Sequence, residues 1–129
     1  MKNLTVTTKH KTEVVNLTKE INEAIIESGV SKGIALIFTP HTTGSVFLFE
    51  KIDPNLGRDL LKELHDLVPS DATYAHVGKN ADGHIKSAIM GASVTVPVVG
   101  GKALLGEWQG IYFGEFDGPR ERSVLVKVI

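Results

Sequence analysis

The spacing of apolar and polar positions changes period several times along the chain, and each change marks an element. Residues 4–8 alternate with period two, the pattern of a half-buried strand. Thr12 then stands as an N-cap with Glu13 in the first turn. Val14, Leu17, Ile21, Ile25 and Ser28 follow helical spacing as far as Gly29, which predicts an amphipathic helix over 14–28. Residues 33–39 and 44–50 are nearly continuous apolar runs bounded by turn residues and read as two buried strands. The polar connection Pro40-His41-Thr42-Thr43 joins them. Asp53 and Pro54 open a second helix as N-cap and first helical residue. Its apolar face is Leu60, Leu61, Leu64, Leu67 and Val68, and Pro69 stops it.

Beyond that helix, residues 72–77 read as a short strand, 78–83 as a loop, and 84–90 as a short helix ended by Gly91. From residue 93 the pattern becomes all-β. Residues 93–99 alternate and Gly100-Gly101 turns the chain. Residues 102–116 form one long or broken strand, Asp117-Gly118-Pro119 turns it again, and 122–129 alternate to the end. Strand-rich ends with inserted helices predict an α+β fold on an antiparallel sheet. Strands and helices do not alternate regularly, and no glycine-rich phosphate loop occurs, so a doubly wound nucleotide-binding fold is disfavoured.

Composition narrows the chemistry. With 129 residues the chain matches one domain, which the pattern extends over 1–129. A formal net charge of −1 argues against nucleic acid as a partner, because phosphate-backbone binding needs a basic excess. The opening residues carry no apolar signal core, and no apolar run approaches a membrane span, so a soluble cytoplasmic protein is expected, with no membrane partner. Cysteine is absent, which excludes disulfides, thiolate metal sites and a cysteine nucleophile. A transition-metal site must therefore use histidine and carboxylates.

Five histidines are present. His10 and His65 sit among charged neighbours and read as solvated. His41, His76 and His84 lie in or beside loops at the ends of elements, where functional groups concentrate. Three imidazoles on one divalent cation, with a position open to water, make a catalytic centre. Their spacing matches no regular ligand motif, and three loop histidines making ordinary hydrogen bonds fit it equally well. Glu50, Asp53, Asp82, Glu115 and Asp117 are the carboxylates available for acid–base work or cation binding. Asp53 is also explained as a helix cap and Asp117 as a turn residue. Arg120 and Arg122, beside the last turn, offer a fork for phosphate or a pairing with a nearby acid. Trp108 reads as a core or subunit-interface anchor.

Five motifs occur in order: Pro-His-Thr-Thr-Gly at 40–44, Glu-x-x-Asp-Pro at 50–54, Asn-Ala-Asp-Gly-His-Ile-Lys at 80–86, Gly-Glu-Trp-Gln-Gly-Ile at 106–111 and Glu-x-Asp-Gly-Pro-Arg at 115–120. Together they resemble the YjbQ-like family, named for secondary thiamine-phosphate synthase activity. The resemblance implies an antiparallel β-sandwich or pseudo-barrel wrapped around a helix, assembled as a homotrimer with sites near subunit interfaces. It also implies His41, His76 and His84 as ligands of a divalent metal ion, with zinc favoured over magnesium because imidazole is a soft donor. Glu50, Asp82 and Asn80 become the catalytic or orienting groups. Arg120, Lys79, Thr42 and Thr43 become the contacts to a small phosphorylated metabolite, with Arg122 as a further cation. Phe49 and Glu107 depart from the family pattern, which often has Asn and Thr there.

The implied reaction joins a pyrimidine diphosphate to a thiazole phosphate and releases pyrophosphate. A zinc-dependent hydrolase of a small ester or phosphate, a metal- or metabolite-binding module without turnover, and a purely structural trimer are the alternatives.

Overall fold

A computed structural model describes all 129 residues of the chain. Eight strands and three helices follow in the order β1 (Lys2–Thr7), β2 (Glu13–Asn16), α1 (Thr18–Ser28), β3 (Lys32–Phe38), β4 (Gly44–Glu50), α2 (Pro54–Leu67), α3 (Ala81–Met90), β5 (Ser93–Val99), β6 (Lys102–Ala103), β7 (Gln109–Glu115) and β8 (Glu121–Val128). The strands form a five-stranded sheet, β1-β8-β3-β5-β6, and a three-stranded sheet, β2-β7-β4. Every pairing is antiparallel. The fold is α+β, a curled antiparallel half-barrel closed around α1, as the resemblance implied.

The core explains the curl. Ile21, Ala24 and Ile25 of α1 are buried against Ala35, Ile37, Val96, Val98, Val124 and Val126 of one sheet and Val46, Ile111 and Phe113 of the other. Each such side chain taken out of water contributes roughly 1.5–3 kcal/mol. Burial alternates along β3 and β5, so one face of the five-stranded sheet lines this core. The opposite face leaves Ile34, Leu36 and Phe38 exposed. Between β5 and β6, Gly100 (φ 61°) and Gly101 (φ 75°) make a two-residue turn with both φ positive, which glycine adopts without strain.

Several predicted boundaries move. The helix expected over 14–28 divides into β2 and α1. Val14 and Val15 are β-branched and pair with Gly114 and Phe113 of β7 instead. The Asn16 carboxamide then accepts from the Thr18 amide at 3.0 Å and the Thr18 hydroxyl at 2.6 Å, turning the chain into a helix that begins at Thr18. The strand expected over 72–77 is absent: the segment has no pairing partner, and Val77 is fully exposed. The third helix starts three residues early, at Ala81, which places His84 in its first turn. The segment 102–116 breaks at a turn closed by Gln109 N–H to the Gly106 carbonyl, 3.1 Å. Trp108, on that turn, is 61% exposed and so is no core anchor. In α2, Leu64 and Val68 are buried while Leu67 is exposed, so the predicted stripe is only partly covered. Asp53 caps α2 as expected, accepting from the Asn55 amide at 2.9 Å. No helix is long and apolar enough to cross a membrane.

Candidate functional site

The histidines of interest gather where the β3–β4 connection, the loop before α3 and the last turn meet. His41 follows β3 and is pinned from the side of β8: Ser123 N–H donates to its Nε2 at 3.0 Å. A neutral imidazole that accepts at Nε2 carries its proton on Nδ1. Burial, and then the charges of Arg122 and Arg120, lower the His41 pKa, with Glu115 opposing them. His41 is thus a neutral ring with Nδ1–H as its donor. Together with Thr42, His84, Ser87 and Gly91 it lines a cleft of about 410 Å³.

His84 also faces a second concavity of about 380 Å³, lined by Tyr74, Ala75, His76, Ala81 and Ile85. There the His76 and His84 rings meet edge to face, centroids 5.2 Å apart and planes at 72°. Lys79 lines a third, adjoining hollow that shares Tyr74, His76 and Ala81. His84 is therefore the hinge residue of the site, common to the His41 cleft and the His76 hollow. Its place follows from α3, whose Gly83 packs flat on the last turn. A Cβ at Gly83 would lie 2.7 Å from the Phe116 carbonyl oxygen, so a larger residue there would push the helix away.

Asp117 is the electrostatic hub beside these rings. Its carboxylate accepts from Lys11 Nζ (2.7 Å), Asn80 Nδ2 (2.9 Å) and Arg120 Nη2 (3.0 Å). Arg120 Nε adds a bond to the Asp117 carbonyl at 2.9 Å. Burial alone would raise the Asp117 carboxyl, but hydrogen bonds from Lys11 and Asn80 and the charges of Lys11 and Arg120 outweigh it, and the carboxyl sits below its ordinary value. Asn80 Oδ1 in turn lies 3.1 Å from His76 Nε2.

Other expected members stand elsewhere. Arg122 is not a free cation. It is buried, pairs with the buried Glu115 carboxylate through Nε and Nη2, and donates to the Thr43 hydroxyl at 2.8 Å and the Thr43 carbonyl at 3.1 Å. Thr43 is consequently committed to the interior rather than open to substrate, while Thr42 is exposed. Asp82 is buried as well and pairs with the equally buried Lys86 at 3.3 Å, so it does not reach the clefts as a general base. Glu50 lies at the far end of β4 from His41. Seven strand residues at about 3.3 Å each separate the two ends by roughly 20 Å, so one chain does not bring Glu50 to the histidines. It sits instead with Asp53, Asn16, Phe49 and Tyr112 around a hollow of about 230 Å³. Its two carboxylate oxygens accept from the Ile52 (3.0 Å) and Asp53 (2.9 Å) amides. Burial, and then the Glu50 charge, raise the Tyr112 pKa. Phe49 extends an aromatic cluster with Phe47 and Tyr112.

No group of three His, Asp or Glu side chains comes close enough to hold a metal ion, so the expected three-histidine cluster is not assembled within one chain. A partial fit remains. Two imidazoles on a tetrahedral ion with Zn–N near 2.0–2.1 Å place their ring centres about 5 Å apart, the separation of His76 and His84. Nitrogen donors also suit zinc better than magnesium. His76 and His84 fit two positions of such an ion. His41, with Nε2 taken by the Ser123 amide, fits as a hydrogen-bond donor rather than a ligand.

Comparison with known proteins agrees with the motifs. The model of the UPF0047 protein YjbQ-like family matches residues 2–129. The UPF0047 protein MJ1081 of Methanocaldococcus jannaschii is 45% identical over 122 residues, covering 95% of this chain and 88% of that one. The UPF0047 protein YugU of Bacillus subtilis is 38% identical over 130 residues, covering 100% and 98%. The crystal structure of an uncharacterized conserved YjbQ/UPF0047 protein from Clostridium acetobutylicum superposes with a TM-score of 0.97 at 42% identity, covering both chains in full.

Proposed function

Since the chain belongs to the UPF0047 YjbQ-like family, we propose that it is a metal-dependent enzyme acting on a small phosphorylated substrate. The observation that carries the reading is the His76–His84 pair at zinc-like separation, beside the exposed Lys79 and the half-exposed Arg120. In it His76 and His84 hold the ion. A bound divalent cation supplies Lewis-acid polarisation of a phosphate oxygen or an activated water. The chain's own groups bind and orient. Lys79 neutralises phosphate as a mobile point charge. Arg120, held by Asp117, presents the rest of its guanidinium as a directed donor. His41 Nδ1–H and the Thr42 hydroxyl provide neutral donors along the adjoining cleft.

The named candidate is the thiamine-phosphate synthase reaction: a pyrimidine diphosphate and a thiazole phosphate are joined and pyrophosphate leaves. The alternative with support of its own is zinc-dependent hydrolysis of a small ester or phosphate, favoured by the all-nitrogen donor pair. The reading includes cytoplasmic location and a homotrimer. The uncovered Ile34, Leu36 and Phe38 and the outward Trp108 are the surfaces a neighbouring copy covers, and such a copy supplies the ligands one chain lacks. Sedimentation at micromolar concentration then gives three chains per particle, and a stable monomer removes the trimer from the account.

Turnover is the test of function. Zinc-loaded protein is incubated with the pyrimidine and thiazole phosphates, and separately with phosphate monoesters and small esters. Product from one class above background, reduced to background by His76→Ala/His84→Ala, is the expected result. Thermal stabilisation by these compounds with no product from any of them marks a binding module instead.

A further inference from the structure

We infer that Asn80 and Asp117 are positioning residues that fix the ring of His76, so that Nδ1 rather than Nε2 is the nitrogen offered to a divalent cation. The inference rests on the metal reading above and specifies the geometry of its first ligand.

The argument is one of donors and acceptors. The Asp117 carboxylate can only accept, and Asn80 Nδ2 lies 2.9 Å from its Oδ2. The donor end of the Asn80 amide is therefore turned to Asp117. Its carbonyl end, Oδ1, faces His76 Nε2 at 3.1 Å and can only accept. The ring nitrogen must then donate. In the neutral ring Nε2 carries the proton and the lone pair stands on Nδ1. Metal-binding imidazoles commonly have the opposite nitrogen tied in this way, which sets both tautomer and ring direction.

Two further features hold the arrangement. Lys11 and Arg120 also bind Asp117, so the carboxylate that orients Asn80 is itself fixed from two sides. Gly78 passes over the His76–Asn80 contact: a Cβ there would lie 3.1 Å from His76 Nε2 and 3.3 Å from Asn80 Oδ1. The chain thus has no side chain where one would crowd the bond. His41 has the opposite polarity, accepting at Nε2 and donating at Nδ1. The site accordingly contains one ring built to offer a lone pair and one built to offer a proton.

Histidine-labelled protein, free of metal and at a pH above imidazole titration, reads the tautomer from its side-chain nitrogen resonances. The wild-type His76 ring is expected to be protonated at Nε2 and unprotonated at Nδ1. In Asp117→Ala the Asn80 amide is released to turn, a population protonated at Nδ1 appears, and zinc affinity falls by about 10- to 100-fold. Asn80→Ala, which spares the last turn, gives the same loss of affinity should Asp117→Ala fail to fold. In Asn80→Asp/Asp117→Asn the polarity is rebuilt: the carboxylate at position 80 accepts from His76 and the amide at 117 donates to it. That double variant is expected to return both the Nε2–H ring and near-wild-type zinc affinity, which a merely structural role would not do. A wild-type ring protonated at Nδ1, or Asn80→Ala with unchanged tautomer and zinc affinity, overturns the inference. A wild-type ring protonated at Nε2 in protein that takes no zinc leaves the positioning intact and removes the metal reading instead.

Discussion

Arg122→Met is expected to destabilise the chain by about 3–5 kcal/mol, the cost of stripping one partner from a buried ion pair. Neither Arg122 nor Glu115 is open to solvent. With the guanidinium gone, the Glu115 carboxylate keeps only the Thr8 hydroxyl at 2.7 Å and the Asp117 amide at 3.0 Å, and Thr43 loses its donor. Thermal unfolding then drops by roughly 10–20 °C for a domain of this size. Arg122→Met/Glu115→Met, which removes both charges, recovers most of the loss because no buried charge is left alone.

The same pair sets a pH dependence. Burial pushes the Glu115 carboxyl up, but the hydrogen bonds of Arg122, Thr8 and the Asp117 amide, with the Arg122 charge, hold it below its ordinary 4.5. A carboxyl depressed in the folded state contributes stability that is present above its unfolded value and lost as the pH falls through the folded one. Asp117 acts in the same direction. Acid unfolding should therefore begin below pH 4.5 in the wild type, and this acid-dependent part should shrink in the double variant. Urea titrations at neutral and acid pH check both statements. A loss under about 1 kcal/mol in Arg122→Met would contradict the assignment of the pair as a buried one.

The strands were legible because their periods are local. Residues 44–50 and 93–99 carry the two-residue alternation or apolar run, with glycine or turn residues at their ends, and they form strands over those bounds. The Gly100-Gly101 turn and the Asp53-Pro54 helix start were equally readable, since each is a local conformational requirement. What escaped depends on contacts remote in sequence. Val14 has helical spacing, but its partner Gly114 in β7 offers a ladder, and pairing prevails over spacing.

For the site, the motifs singled out the right neighbourhood without its internal bonding. Nothing near Arg122 says that Glu115 and Thr43 will enclose it, because these partners meet only when β7, β8 and the β3–β4 connection come together. The spacing of His41 likewise does not reveal the Ser123 amide that occupies its Nε2. The Asp82–Lys86 pair was within reach of the sequence: four residues apart on one helix is the spacing that brings such groups together. Its burial was the hidden part.

The second large effect concerns the ion itself. Each imidazole of the His76–His84 pair supplies one nitrogen, and an ion held by so few protein ligands depends on both. Losing one ring leaves a single nitrogen, and losing both leaves none. The His41 ring, committed to Ser123, does not replace them. His76→Ala/His84→Ala is thus expected to lose bound zinc altogether, whereas His41→Ala keeps zinc while weakening turnover. Both rings are at least partly solvent-exposed, so the double variant should fold like the wild type.

Zinc content per folded chain, measured by elemental analysis after dialysis against zinc buffer and desalting, puts the central claim to the most direct trial. The account predicts about one ion per chain in the wild type and in His41→Ala, and none in His76→Ala/His84→Ala. A wild type that retains no zinc, or a double variant that retains the full complement, would contradict it.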